Sequence, residues 1–287
     1  MNNTFAWSVR REIWEHKSVW MAPAAVAAFL CVALIFGMTH FTGNYSGNFS
    51  TLPAETQRKI VAMPFGITAS VILLTSFVVA FFYCLDALFA ERRDRSILFW
   101  KSMPVSDTTT VLAKFFIPVA VIPVIAFVIA LAMQVVLLVT STIAMYVRGI
   151  DTALMYGNLP AVTMTLGMLY GVAVHVAWYS PIYALLLLAS VATRRPFLWI
   201  VVPALAVQVL EKIAFNTNYS GAFIKYRLLG AMEEAFRPQG AQGPVTTFSQ
   251  LDPIRYLSSP GLWLGLLAAA AFIYAAIRLR RSREALS

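Results

Sequence analysis

Charge is what this chain has least of. Of its 287 residues only 12% are Asp, Glu, Lys or Arg, against roughly 25% in an ordinary soluble domain. Acids are scarcer than bases, 13 against 22. Two cysteines, Cys31 and Cys84, both inside apolar stretches, exclude a disulfide framework and read as small buried hydrophobes. Three histidines without ligand spacing offer no metal site. What fills the chain instead is hydrophobic residues, 60% of the total with mean hydropathy +0.73. Such a composition excludes a soluble enzyme, a disordered tail and a nucleic-acid binder, despite the isoelectric point near 9.8.

The apolar residues come in six blocks, over 19–40, 64–89, 112–146, 161–192, 197–215 and 261–279. Each is long enough to cross a bilayer as a helix, which takes ~20 residues. A membrane β-barrel would show short alternating segments instead. The third and fourth blocks exceed a single crossing, so tilt or kinks are expected, with Pro118, Pro123 and Pro181 as kink points. The first block is also longer than the ~7–15-residue apolar core of a signal peptide, so it reads as a retained helix. Residues 1–287 thus form a single all-α membrane domain.

Basic residues set the orientation, because short cytoplasmic loops are enriched in them. With the N-terminus inside, 14 of the 22 fall in cytoplasmic segments: Arg10, Arg11, Lys17, Arg92, Arg93, Arg95, Lys101, Lys114, Arg194, Arg195, Arg278, Arg280, Arg281 and Arg283. The two short outer loops hold only Arg58, Lys59 and Arg148. Both termini are therefore expected in the cytoplasm. Thr4 to Lys17 reads as a short interfacial helix, with Phe5, Val9 and Ile13 on one stripe and Trp7 and Trp14 on the other side. The extracytoplasmic region 216–260 includes a second amphipathic stretch, Gly221 to Phe236, with Ile224, Leu228, Met232 and Ala235 at helical spacing.

Catalytic signatures are missing. There is no GxxxxGK phosphate loop, no HExxH, no GxSxG and no aspartate-rich motif. The string from Glu233 to Arg237 has the paired glutamates of an intramembrane protease but one residue too few before its arginine. No enzymatic role and no cofactor on this chain are expected. Polar residues within the blocks are the remaining candidates for a transport path: Gln134, His175 and Glu211. A packed histidine and interhelical hydrogen bonding are the plainer readings of the first two. Glu211, with Lys212, either reaches outward to the interface or lines a wet cavity. Asp86 lies near the inner boundary, within reach of water or Arg92.

The loop over 91–110 is the most informative segment. Glu91 to Trp100 can form a helix that Pro104 must end, and Ser106 or Asp107 can cap the next span. Ile97, Leu98, Phe99 and Trp100 give it an apolar face ringed by basic residues, the pattern of a docking surface. The run from Glu91 through Ser96 and Leu98 to Met103-Pro104-Val105-Ser106, followed by Lys114, resembles the intracellular loop of ABC-2 type permeases. An acidic residue, a small hydroxyl residue, leucines, a Pro-Val-Ser turn and a lysine recur there at this spacing. Arg95-Ser96 departs from the commoner Gly-Thr pair, and Met103 from the commoner leucine.

The resemblance implies six spans with an N-terminal interfacial helix, an intracellular coupling helix and a helical, re-entrant outer element between the last two spans. It implies the permease subunit of a bacterial ABC exporter in the cytoplasmic membrane, moving a hydrophobic, peptide-like or drug-like substrate. ATP and Mg would be bound by a separate nucleotide-binding subunit, docked on Glu91, Arg92, Arg95, Ser96, Leu98, Phe99, Trp100, Lys101 and Pro104. A second permease copy, more readily identical than different, would complete the path. A secondary transporter without an ATPase is the rival reading, and an intramembrane enzyme a more distant one.

Overall fold

The computed structural model describes residues 2–41, 52–93, 105–147, 149–237 and 243–282. Among these, every regular element is helical. Helix α1 spans Asn2–Glu15, and a short turn at His16 and Lys17 leads into α2, Ser18–Phe41. Then follow α3 (Ala54–Asp86), the short α4 (Phe89–Arg93) and α5 (Asp107–Phe116). A π turn over Ile117–Val121 joins α5 to α6, Ile122–Val147. The remainder is α7 (Ala153–Asn158), α8 (Ala161–Ala192), α9 (Pro196–Phe215), α10 (Tyr219–Ala235), α11 (Pro253–Ser258) and α12 (Pro260–Ser282).

Six of these stretches are long and apolar enough to cross a membrane: α2, α3 with α4, α5 through α6, α8, α9 and α12. The chain is a multi-pass membrane protein. At 33 and 32 residues, α3 and α8 measure about 50 Å each at ~1.5 Å per residue, well over the ~30 Å of hydrocarbon. The 20 residues of α9 just match that thickness.

Local chemistry explains where the helices start, stop and bend. Ser106 begins α5 as its N-cap, accepting from the Thr109 amide at 3.1 Å. Pro118 has no N–H to return to the carbonyl four residues back, and the chain widens there into a π turn, with the Ile122 amide reaching the Ile117 carbonyl. Pro181 likewise takes the donor from the Ala177 carbonyl, and the Ser180 hydroxyl replaces it at 2.9 Å. Asn216 ends α9 in the left-handed region, at φ +50°.

Packing is graded along the bundle. At the end marked by Lys114 and Arg280, here the charged end, side chains from α2, the α3–α4 turn, the π turn, α8 and α12 meet: Val19, Leu88, Ile117, Tyr183 and Ile273 are all buried. In the middle, α2, α3 and α6 meet through Ala27, Ala69, Ala126 and Ala130. Small residues let backbones approach closely where lipid gives no hydrophobic drive to associate. At the far end, α10 and α11 pack on α8 through Trp178, Ala231, Ala235 and Tyr256. Helix α9 stands apart: the most apolar stretch of it is nowhere buried, and it touches mainly α8 and α10.

The alanine seam gives a direct test. Ala126 is fully buried, so Ala126→Leu overfills the seam and should destabilise by about 1–3 kcal/mol. Val139→Leu, on the exposed side of the same helix, should leave the melting temperature of the purified protein unchanged.

Candidate functional site

The charged end contains a buried ion cluster drawn from four helices. Glu12 of α1, Glu91 of α4, Lys114 of α5 and Arg280 of α12 are all buried. The Lys114 ammonium donates to Glu12 Oε1 at 2.8 Å and lies 3.2 Å from Glu91 Oε1. The other Glu91 oxygen accepts from Arg280 Nη1 at 2.5 Å, and Arg280 Nε donates to Asp107 at 2.9 Å. Glu12 also accepts from Arg11 at 2.8 Å and from the Tyr83 hydroxyl at 2.9 Å. Three carboxylates thus face three cations, and the cluster is close to neutral.

Arg92 does a different task. Buried beside the cluster, it donates to the Thr193 carbonyl at 2.9 Å and the Ser190 carbonyl at 3.4 Å, closing the C-terminus of α8, where a cation also suits the helix dipole. Asp86 pairs with Arg93 at 3.8 Å rather than with Arg92, and both of that pair are exposed.

Burial pushes the Glu12 carboxyl up, but the attraction and hydrogen bond of Lys114, with those of Arg11, outweigh it and hold the group at about 2 instead of the ordinary 4.5. Isolating such a charge by removing its partner is far more costly than never having buried it.

Of the residues expected to dock an ATPase, the structure brings Glu91 into this network and sets Arg92 beside it, on the carbonyls that end α8. Arg95, Ser96, Leu98, Phe99, Trp100, Lys101 and Pro104 lie in 94–104, outside the described residues. Glu12 and Arg280 were not singled out from the sequence. A signal existed for both: Glu12 falls beside Ile13 on the apolar stripe of α1, and Arg280 continues the buried series Ala269, Ile273 and Ala276 on α12.

At the far end the bonds that tie α10 to α8 run to backbone carbonyls. Trp178, fully buried on α8, donates its indole N–H to the Arg227 carbonyl at 2.9 Å, and Arg227 Nη2 returns a bond to the Trp178 carbonyl at 2.8 Å. Its Nη1 donates to the Gly261 carbonyl at 3.0 Å, and the guanidinium lies over the Trp178 ring at 4.7 Å. Only the missing Cβ of Gly265 leaves room for it. Tyr179 and Tyr170 add bonds to the Leu228 and Ala235 carbonyls. The face of α10 that is buried is Gly230, Ala231 and Ala235, whereas Leu228 and Met232 are exposed.

The three polar residues proposed for a transport path lie apart. Gln134 lines a cavity of about 400 Å³ bounded by α3, α8 and the segment 243–245. His175 sits one turn further along α8, bonded to the Tyr183 hydroxyl at 2.8 Å and packed on Phe77 and Tyr179. Glu211 accepts from the backbone amides of Tyr219 and Ser220 and from the hydroxyls of Ser220 and Thr217, so it caps the start of α10.

No family model matches this chain, and no curated protein or solved structure matches it either.

Two outcomes follow at the charged cluster. Lys114→Met leaves Glu12 and Glu91 facing each other without their shared cation and should destabilise by roughly 3–5 kcal/mol, read as a lowered melting temperature. Because the folded Glu12 group is held below its ordinary 4.5, its contribution is full above that value and is lost as pH falls toward about 2. The melting temperature should therefore drop between pH 5 and pH 3, and Glu12→Gln should flatten that part of the profile.

Proposed function

We propose that this chain is the permease subunit of a bacterial ABC exporter of the ABC-2 type, driven by ATP hydrolysed on a separate subunit. The observation that carries this reading is how the 91–110 loop is rooted. Its first stem, through Glu91, and its second, through Asp107 and Lys114, share one ion cluster with α1 and α12. A segment that receives motion from a soluble motor can transmit it only if both its ends are fixed to the spans that must move. A loop without that duty needs no such anchor.

In this reading the charged end faces the cytoplasm, with both termini there and the membrane being the bacterial inner membrane. Leu98, Phe99 and Trp100, which lie outside the described residues, are the anchors for the ATPase. The far-end cap of α10 and α11 is the re-entrant outer element. Helix α9, whose most apolar stretch is left unburied among the described residues, is the surface on which a second copy of the permease packs. The cargo is hydrophobic, peptide-like or drug-like.

Phe99→Ala with Trp100→Ala tests the docking assignment. Loss of such anchors weakens an interface by more than ~2 kcal/mol, roughly thirtyfold in affinity. The double variant should lose its co-purifying ATPase, or its ATP-driven transport, while still inserting in the membrane. Reversal of charge at Arg194 and Arg195 should do much less. If the arginine variant fails and the aromatic one does not, the coupling element lies in the other loop. Orientation is read separately: cysteines at Lys225 and Glu233, both exposed on α10, should react with an impermeant thiol reagent in spheroplasts without lysis.

A further inference from the structure

The cavity of about 400 Å³ is built in an unusual way for a gap between helices. It lies within the ~300–1,000 Å³ range of small-molecule sites. Four methionines line it, Met63 of α3, Met164 and Met168 of α8 and Met232 of α10. Methionine walls adapt to the shape of an apolar occupant. Among the described residues none of the side chains lining it is charged.

One side of the cavity is closed by the segment at Pro244 and Val245, which is seated in two glycine notches. A Cβ on Gly66 of α3 would stand 2.8 Å from Pro244 Cβ, and one on Gly167 of α8 would stand 3.0 Å from Val245 Cγ1. The buried Gln250 fixes this segment from behind, its side-chain oxygen accepting from the Thr246 and Thr247 amides at 2.7 and 3.0 Å. The closure is therefore a built feature of the fold. The opposite side opens between α3 and α10, where Met63, Ile67 and Met232 are each more than half exposed. A rim of that kind faces lipid chains comfortably and water poorly.

Inside, among the described residues, the polar side chains are Ser70 and the Gln134 amide. Among the described residues, Gln134 makes one long contact, from Nε2 to the Met168 sulfur at 3.9 Å. A thioether is a weak acceptor. The amide has both donor and acceptor capacity to offer, in a place where an unmet polar group is penalised.

We propose that this cavity binds a single-chain amphiphile with an uncharged hydrogen-bonding head, such as a long-chain alcohol or amide, admitted from the bilayer between α3 and α10 and oriented by Gln134. An uncharged lining gives no partner to a charged head, and the small volume takes one chain and not a two-chain phospholipid. The site belongs to one copy of the chain and requires no ATPase, so it stands or falls apart from the permease reading.

The test uses the full chain alone in lipid nanodiscs with a photoactivatable diazirine derivative of hexadecanol, mapped by mass spectrometry. Crosslinks should concentrate on Met164, Met168 and the 243–245 segment, and unlabelled hexadecanol should compete better than hexadecane or hexadecyltrimethylammonium. Gln134→Leu, which keeps the volume and removes the amide, should weaken hexadecanol labelling about fivefold or more, the size of one net hydrogen bond. Ser70→Trp, which fills the cavity with the amide retained, should abolish labelling there. Labelling spread evenly over the exposed face of α9, equal competition by hexadecane, or no effect of Gln134→Leu would each overturn the proposal.

Discussion

The need to neutralise charge where water is scarce governs this structure. Glu12, Glu91, Lys114 and Arg280 come from four helices far apart in the chain and are buried together. Each is tolerable only because the others are present, since an isolated ion in such a setting costs several kcal/mol. The cluster adds little as a source of net stability, because desolvation offsets most of the attraction. What it adds is uniqueness. Any slip of α1, α4, α5 or α12 along its axis leaves a charge without its partner, so the four segments have one compatible register.

The opposite end meets the same demand with a different device. There the chain leaves the bundle and returns through α10 and α11, and the cation at its centre, Arg227, is satisfied by the carbonyls of Trp178 and Gly261 and by the Trp178 ring. Burial pushes its guanidinium below the ordinary arginine range, and the group stays a cation regardless. Among the described residues no carboxylate pairs with it, so its fit depends on backbone geometry. The cap is tied to α8 by aromatic donors reaching helix carbonyls, which fixes position without adding formal charge.

Between these two fixed ends lies the part of the bundle with the least internal commitment. The alanine seam of α2, α3 and α6 is midway, and the π turn at Ile117–Val121 and the proline at 181 border it on the charged-end side. Bulges and proline breaks are where helices accommodate bending. The charged end holds both stems of the 91–110 loop, so a push on that loop would travel along α5 into the π turn. The cavity beside Gln134 and the small gap at His175 flank this region, the first towards the cap and the second against Pro118 and Pro123.

The membrane character, the number of spans and most of their ends were legible in the sequence because each depends on a local property, the length of an apolar run. Blocks at 161–192 and 197–215 coincide with α8 and nearly with α9, and the cap at Ser106 acts through neighbouring backbone. The amphipathic stretch after the fifth span is a helix for the same reason, although its buried face is the small-residue one: α8 presents bulky Trp178, and only Gly230 and Ala231 fit against it. Pairing of Lys114 with Glu12 and of Arg280 with Glu91 was not legible, since 102 and 189 residues separate the partners and a basic residue in a positive-rich loop looks alike whether solvated or buried. The same holds for Arg227, and for Glu211, whose role as a helix cap depends on how the chain turns after α9. Composition and periodicity placed this chain in a membrane; only the packing of distant segments decided which of its few polar groups hold the bundle together and which are left facing a cavity.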